Sequence, residues 1–327
     1  MSTEWQARFA GRLAEAASAV PLVARVSLRR PLFLFHVPKT AGSSMRTLLD
    51  SAVGRPRRSL LPCVNCACKC DPLAAQRRNR TSCDVAFLGH LFPFATPQGK
   101  SAVPLLLRLD RGAYGRPRCR RHWEQDGLAE EEAVWRVLNQ SLCVALVRDP
   151  IQRLASSYYE FVHRKSSNRS LPSFLEAFGP ERLVAAAGGG RLYASLLGGG
   201  SVERAERILS TCATGVQERY PEFVATLSRL LPVDTASVAA APREHSHRRE
   251  GMGAAHDYAA LAERLLPLMP SEARLWAHAS AVAAEQHRMA LAYAPLSSRG
   301  AEKRGRAVRR APSGGRARRG RQVAPHL

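Results

Sequence analysis

The sequence predicts an α/β protein: a mostly parallel central sheet flanked by helices, continued by a helical C-terminal half. Three observations predict it. Two apolar runs, at 32–37 and 142–147, each lead through a short charged or small-residue turn into a helix-forming stretch. Near-continuous apolar strands belong to sheets covered on both faces, where both sets of side chains are buried. Strands and helices alternate up to about residue 165, and the chain beyond reads as mainly helical.

The first run, Leu-Phe-Leu-Phe-His-Val, ends in a turn carrying Pro38, Lys39, Thr40, Ala41 and Gly42, and a helix then opens on Ser43 and Ser44 and runs to about residue 52. Backbone N–H groups at such a helix start, its dipole and a lysine beside it form an anion cradle. Lys39 precedes Gly42 instead of following a second glycine, so the segment lacks the spacing of a nucleotide-hydrolysing P-loop, which disfavours that reading. A cysteine- and arginine-bearing loop is expected at 54–82 and a second strand at 84–88, ending at Gly89 and His90. A Pro-, Gly- and Arg-rich loop at 93–121 and a helix near 128–138 follow.

The strand at 142–147 runs into Arg148-Asp149-Pro150 and a helix expected at 150–165. Proline suits the first helical turn, where its missing N–H has no intrahelical partner. Arg148 closes the strand and Ser156 lies eight residues on. A guanidinium and a hydroxyl brought together this way can hold a second phosphate. Two anion sites on one sheet imply a ligand with phosphate-like groups at both ends. Further helices are expected at 202–210, 220–231, 258–268 and 271–291.

These two segments resemble the carbohydrate sulfotransferases, most closely the heparan sulfate and uronyl 2-O-sulfotransferase branch. Weaker echoes follow in order: Tyr193 to Gly198, Gly215-Val-Gln-Glu-Arg-Tyr220 and Ala273-Arg-Leu-Trp276. The resemblance spans roughly residues 31–290. It implies the P-loop-like sulfotransferase fold and the donor 3′-phosphoadenosine 5′-phosphosulfate. Pro38, Lys39, Thr40, Ala41, Gly42, Ser43 and Ser44 would take the 5′-phosphosulfate, and Arg148 and Ser156 the 3′-phosphate. It also implies a glycosaminoglycan-like acceptor, no metal, and a Golgi lumen location with an N-terminal anchor.

Sulfuryl transfer needs a base for the acceptor hydroxyl and a positive group at the leaving side. By resemblance Lys39 stabilises the leaving group. His90 is the candidate base: it follows the second strand at the sheet edge where open α/β sheets bind ligands, and histidine titrates near neutral pH. The resembling enzymes carry another histidine two residues earlier, where this chain has Leu88. His36 reads as a packing residue, Asp149 and Arg153 as anchors of the turn and helix, and Tyr158 and Tyr159 as packing under the sheet. His163, Arg164 and Lys165 read either as an acceptor contact or as a solvated face. No ligand set surrounds His245, His247 and His256. The competing readings are a nucleotide-dependent phosphotransferase using the same cradle and a non-catalytic polyanion-binding relative.

Composition supports a globular body: 327 residues, 45% hydrophobic, with a formal net charge of +22. A cleft carrying such charge would steer a polyanion; nucleic acid is not the expected partner, since no recognition module accompanies the charge. No run approaches the roughly 18 apolar residues that span a bilayer, and 1–30 shows neither a signal peptide nor a transit pattern. Membrane association would therefore need an anchor that this segment does not display. Three of four asparagines open glycosylation sequons: Asn79, Asn139 and Asn168. Asn139, beside the start of a buried strand, is not expected to be glycosylated.

Cys63, Cys66, Cys68 and Cys70 lie within eight residues. Cys-x-x-Cys begins many zinc sites, but this crowding is too tight for an ordinary one. Disulfides to Cys83 and Cys119 in an oxidising lumen are favoured, with zinc or free thiols left open. Cys143 and Cys212 read as small buried apolar residues. The domain is placed at 31–292, after an N-terminal segment 1–30 of uncertain role. From 293 an Arg-rich tail begins; its last 31 residues supply +9 of the net charge and few apolar groups, a disordered composition.

Overall fold

The computed structural model describes residues 3–18, 32–41, 44, 45, 48, 49, 86–89, 94, 127–163, 170–186, 189–231 and 258–293. The order is α1 (Thr3–Ala17), β1 (Leu32–His36), β2 (Ala86–Gly89), α2 (Gly127–Gln140), β3 (Leu142–Val147) and α3 (Pro150–Ser157). A π-helical turn, Tyr158–His163, continues α3. Then come α4 (Leu171–Ala186), α5 (Leu192–Gly198), α6 (Val202–Thr211), β4 (Ala213–Val216), α7 (Tyr220–Leu230), α8 (Tyr258–Leu265) and α9 (Pro270–Ala292).

The four strands form one sheet in the order β2-β1-β3-β4, every pair parallel. Along β1 the side chains alternate between two cores. Phe33 and Phe35 pack on one face with Cys143, Ala145 and Val147 of β3, under α2, α5 and α6. Leu32 and Leu34 pack on the other with Val144 and Leu146, under α1, residues 45, 48 and 49, and α7. The long helix α9 serves both, placing Leu275 and Ala279 in the first core and Val282 and Ala290 in the second. Burial on both faces explains why these strands read as continuous apolar runs. The architecture is α/β, with more helix than sheet.

Several elements were not legible in advance. α1 has no strong helical signal beyond mild amphipathicity, yet Trp5, Phe9 and Leu13 are buried in the second core. Its Arg12 donates to the carbonyls of Thr211 at 2.6 Å and Ser141 at 2.8 Å. Thr211 ends α6 and Ser141 follows α2, so one guanidinium caps carbonyls at the ends of two helices. β4 has only four residues, Ala-Thr-Gly-Val, too few for a periodic pattern. Its Gly215 lies so near α7 that a β-carbon would stand 2.3 Å from the Phe223 ring.

Two expectations are corrected, and one sequon is placed. Tyr158 does not pack under the sheet; it lies in a third core with Phe174, Leu175 and Leu265, beneath α4 and α8. The sequon residue Asn139 lies exposed in the last turn of α2, and its side-chain oxygen accepts from Arg8. Cys143 and Cys212 are buried, as small apolar residues would be, but they are joined by a disulfide. The β3–β4 register pairs Val144 with Ala213, which brings the preceding residues opposite each other with Cα atoms 4.7 Å apart. The other six cysteines, 63 to 119, lie outside the described residues.

The disulfide closes a loop with a sequence separation of 69. Replacing both cysteines by alanine is expected to lower the unfolding free energy by about 2–4 kcal/mol, from the freedom restored to the unfolded chain. Urea denaturation measures this. A loss under about 0.5 kcal/mol, or alkylation of both thiols in unreduced, denatured protein, would contradict the link.

Candidate anion-binding site

β1, β3 and β4 end at one edge of the sheet. The strand order opens a crevice there between β1 and β3, since the chain leaves β1 for β2 on one side and returns as β3 on the other. Loops diverging from neighbouring parallel strands mark the place where open α/β sheets collect ligands.

The loop after β1 has an uncommon backbone. Lys39 has φ 67° and Ala41 φ 61°, a left-handed region that crowds the β-carbon against the next carbonyl, at about 1–2 kcal/mol per residue. Thr40 between them is fully buried and its hydroxyl donates to the Val37 carbonyl at 2.8 Å. That bond locks the turn, so the Thr40 hydroxyl braces the loop from inside. Met45 N–H donates to the Ala41 carbonyl at 3.0 Å, starting the helical path through Ser44. Gly42 and Ser43 lie outside the described residues, and so does His90.

Arg148 leaves the end of β3 and crosses the crevice. Its Nη1 donates to the Lys39 carbonyl at 3.4 Å, and its Nη2 to Gln152 Oε1 at 3.4 Å. Its Nε is buried and has no hydrogen-bond partner among the described residues, and Glu218 Oε1 lies 3.9 Å away. Short charge-assisted bonds run nearer 2.8 Å. This guanidinium is therefore under-bonded, and oxygens of a phosphate group fit its requirements. Ser156 is partly buried on α3, which Asp149 caps by accepting from Ile151 N–H at 3.0 Å and Gln152 N–H at 2.9 Å.

Two carboxylates complete the edge. Glu160 Oε2, on the π-helical turn, lies 3.7 Å from Lys39 Nζ. Glu218, on the turn after β4, accepts from Asp149 N–H at 3.0 Å besides facing Arg148. Each cation of the crevice thus has a carboxylate near it, which an anionic ligand would have to outcompete. Neither acid was singled out from sequence. Glu218 belongs to the Gly215–Tyr220 echo; Glu160 is four residues beyond Ser156, a spacing that shares a helix face.

Behind the edge lies a fully buried polar group. Arg153 of α3 and Glu272 of α9 have no exposed side-chain surface and face each other at 3.4 Å. Tyr193 of α5 lies with its ring 5.5 Å from the Arg153 guanidinium, and its N–H donates to Glu272 Oε1 at 2.6 Å. Burial pushes the Glu272 carboxyl up to about 7, against the opposing pull of Arg153 and the Tyr193 N–H.

Among the described residues no group of three or more His, Cys, Asp or Glu could hold a metal ion, and no helix is long and apolar enough to cross a membrane. Comparison with known proteins gives no match to a family, to a curated protein or to a solved structure.

Proposed function

We propose that the chain is a sulfotransferase of P-loop-like fold, carrying a sulfuryl group from 3′-phosphoadenosine 5′-phosphosulfate to a hydroxyl on a carbohydrate, an acidic glycosaminoglycan-like polysaccharide. The observation that carries this reading is the Arg148 contact with the Lys39 carbonyl across 109 residues of sequence. It puts both segments that resemble a donor site on one crevice of a parallel sheet. The donor supplies the group transferred: the acceptor oxygen bonds to sulfur as the bond from sulfur to the 5′-phosphate oxygen breaks, releasing 3′,5′-ADP.

The chain's own residues divide the work. The segment from Pro38 to Ser44 takes the 5′-phosphate, and the Lys39 amine offsets charge on the leaving oxygen. Arg148 and Ser156 hold the 3′-phosphate. His90, after β2, takes the acceptor proton. Glu160 and Glu218 release their cations when the donor enters. A Golgi lumen location agrees with the Cys143–Cys212 disulfide, which persists in oxidising compartments, and with a net charge suited to a polyanionic acceptor.

Calorimetric titration with 3′,5′-ADP, with ATP as control, tests the donor site. Micromolar binding is expected, with ATP much weaker. In the Lys39→Ala, Arg148→Ala double variant the affinity is expected to fall about 100-fold or more, since each charge-assisted contact contributes about 1.5–3 kcal/mol. Absence of binding in a folded sample would sink the reading and leave a polyanion-binding protein as the better account.

A further inference from the structure

We infer that Tyr193 is a positioning residue for Arg148, and that the buried Arg153–Glu272 pair holds Tyr193 in place. The Tyr193 hydroxyl accepts from Arg148 N–H at 3.0 Å and donates to Arg148 C=O at 2.6 Å. One side-chain oxygen thereby satisfies both main-chain groups of the same residue. Arg148 stands past the last paired residues of β3, Leu146 against β1 and Val147 against β4. The strand ladder no longer sets its peptide planes there; Tyr193 does. The direction in which the Arg148 side chain leaves the sheet follows from those planes.

Tyr193 is itself fixed at its other end. Its N–H is held by Glu272, and its ring by the Arg153 guanidinium. Tyr193, Arg153 and Glu272 are all fully buried, so none of them meets donor or acceptor directly. Burial raises the Tyr193 hydroxyl above the ordinary phenol range despite the pull of Arg153, so the proton needed for the Arg148 carbonyl stays in place. A buried charge pair is a poor source of stability compared with apolar packing of the same volume. What this one delivers is a continuous path from the first turn of α9, through α5, to the cation that closes the crevice.

This role rests on the reading of Arg148 as the 3′-phosphate contact. It is tested in the full chain with Tyr193→Phe, which keeps the ring and removes the hydroxyl. Each variant is titrated with 3′,5′-ADP and with 5′-AMP, which lacks the 3′-phosphate. The expected result is about tenfold weaker 3′,5′-ADP binding, the effect of about one lost hydrogen bond, with 5′-AMP affinity unchanged. Leu197→Ala, a packing loss on the same helix, is the control and should leave the ratio of the two affinities as in wild type. Equal weakening of both ligands by Tyr193→Phe, or no weakening, overturns the positioning role alone. A wild-type chain that binds no 3′,5′-ADP overturns the donor reading and this role together. Hydrogen exchange of wild-type protein adds a test that needs no variant: the Arg148 amide should exchange as slowly as that of Val147, and fast exchange overturns the role.

Discussion

Arg153→Ala is expected to lower the unfolding free energy by about 3–5 kcal/mol at pH 8, because it strands Glu272 without a counter-charge in the interior. Both side chains have no exposed surface, and no second cation is in salt-bridge contact with Glu272 among the described residues. The double replacement Arg153→Met, Glu272→Met should recover much of the loss, since it removes the stranded charge and keeps apolar volume.

The pH dependence separates charge from packing. The folded Glu272 carboxyl titrates near 7, above its ordinary 4.5, so the fold favours its protonated form. Its contribution to stability is complete below about pH 4.5 and is lost as pH rises through about 7, at a slope approaching about 1.4 kcal/mol per unit. Glu272→Gln should flatten that decline. The deficit of Arg153→Ala should also shrink at pH 5, where a protonated Glu272 no longer needs a cation. Urea denaturation at pH 5 and pH 8 measures both effects. An equal deficit at the two pH values would show that lost volume, not stranded charge, causes the destabilisation.

On the proposed sulfotransferase reading, Lys39→Gly is expected to lower sulfuryl transfer about 100- to 1000-fold, the range found when one group that stabilises a developing negative charge is removed. Stability should change little. Glycine relieves the left-handed backbone at φ 67°, worth about 1 kcal/mol, while its freer unfolded chain takes back a similar amount. Comparison with Lys39→Ala, which lacks the amine but keeps the strained β-carbon, isolates the backbone term. Transfer of labelled sulfate to a polysaccharide, read beside thermal unfolding, gives both quantities. Normal turnover in either variant would remove Lys39 from the mechanism and refute the assignment of the leaving-group side.

The site was half legible in the sequence. Lys39 and Arg148 stand at the ends of strongly apolar strands, where the period and the following turn residues mark them. Thr40 was legible as a loop member but not as a brace, because only the fold shows its hydroxyl turned back on Val37. Glu160 had only its spacing from Ser156, and Glu218 and Tyr193 only their membership of weaker echoes, none of which says that they meet the crevice. Each reaches the end of β3 or the loop after β1 from a different element.

By itself the sequence determined the α/β class, the two principal strands and the turns that carry the cations, because strand burial and turn chemistry are local and periodic. Only the tertiary structure decided the order β2-β1-β3-β4, the crevice it opens, the pairing of Cys143 with Cys212 and the burial of Arg153 against Glu272. These depend on contacts between residues 54 to 119 positions apart, and no pattern within one segment encodes which distant segment it will meet.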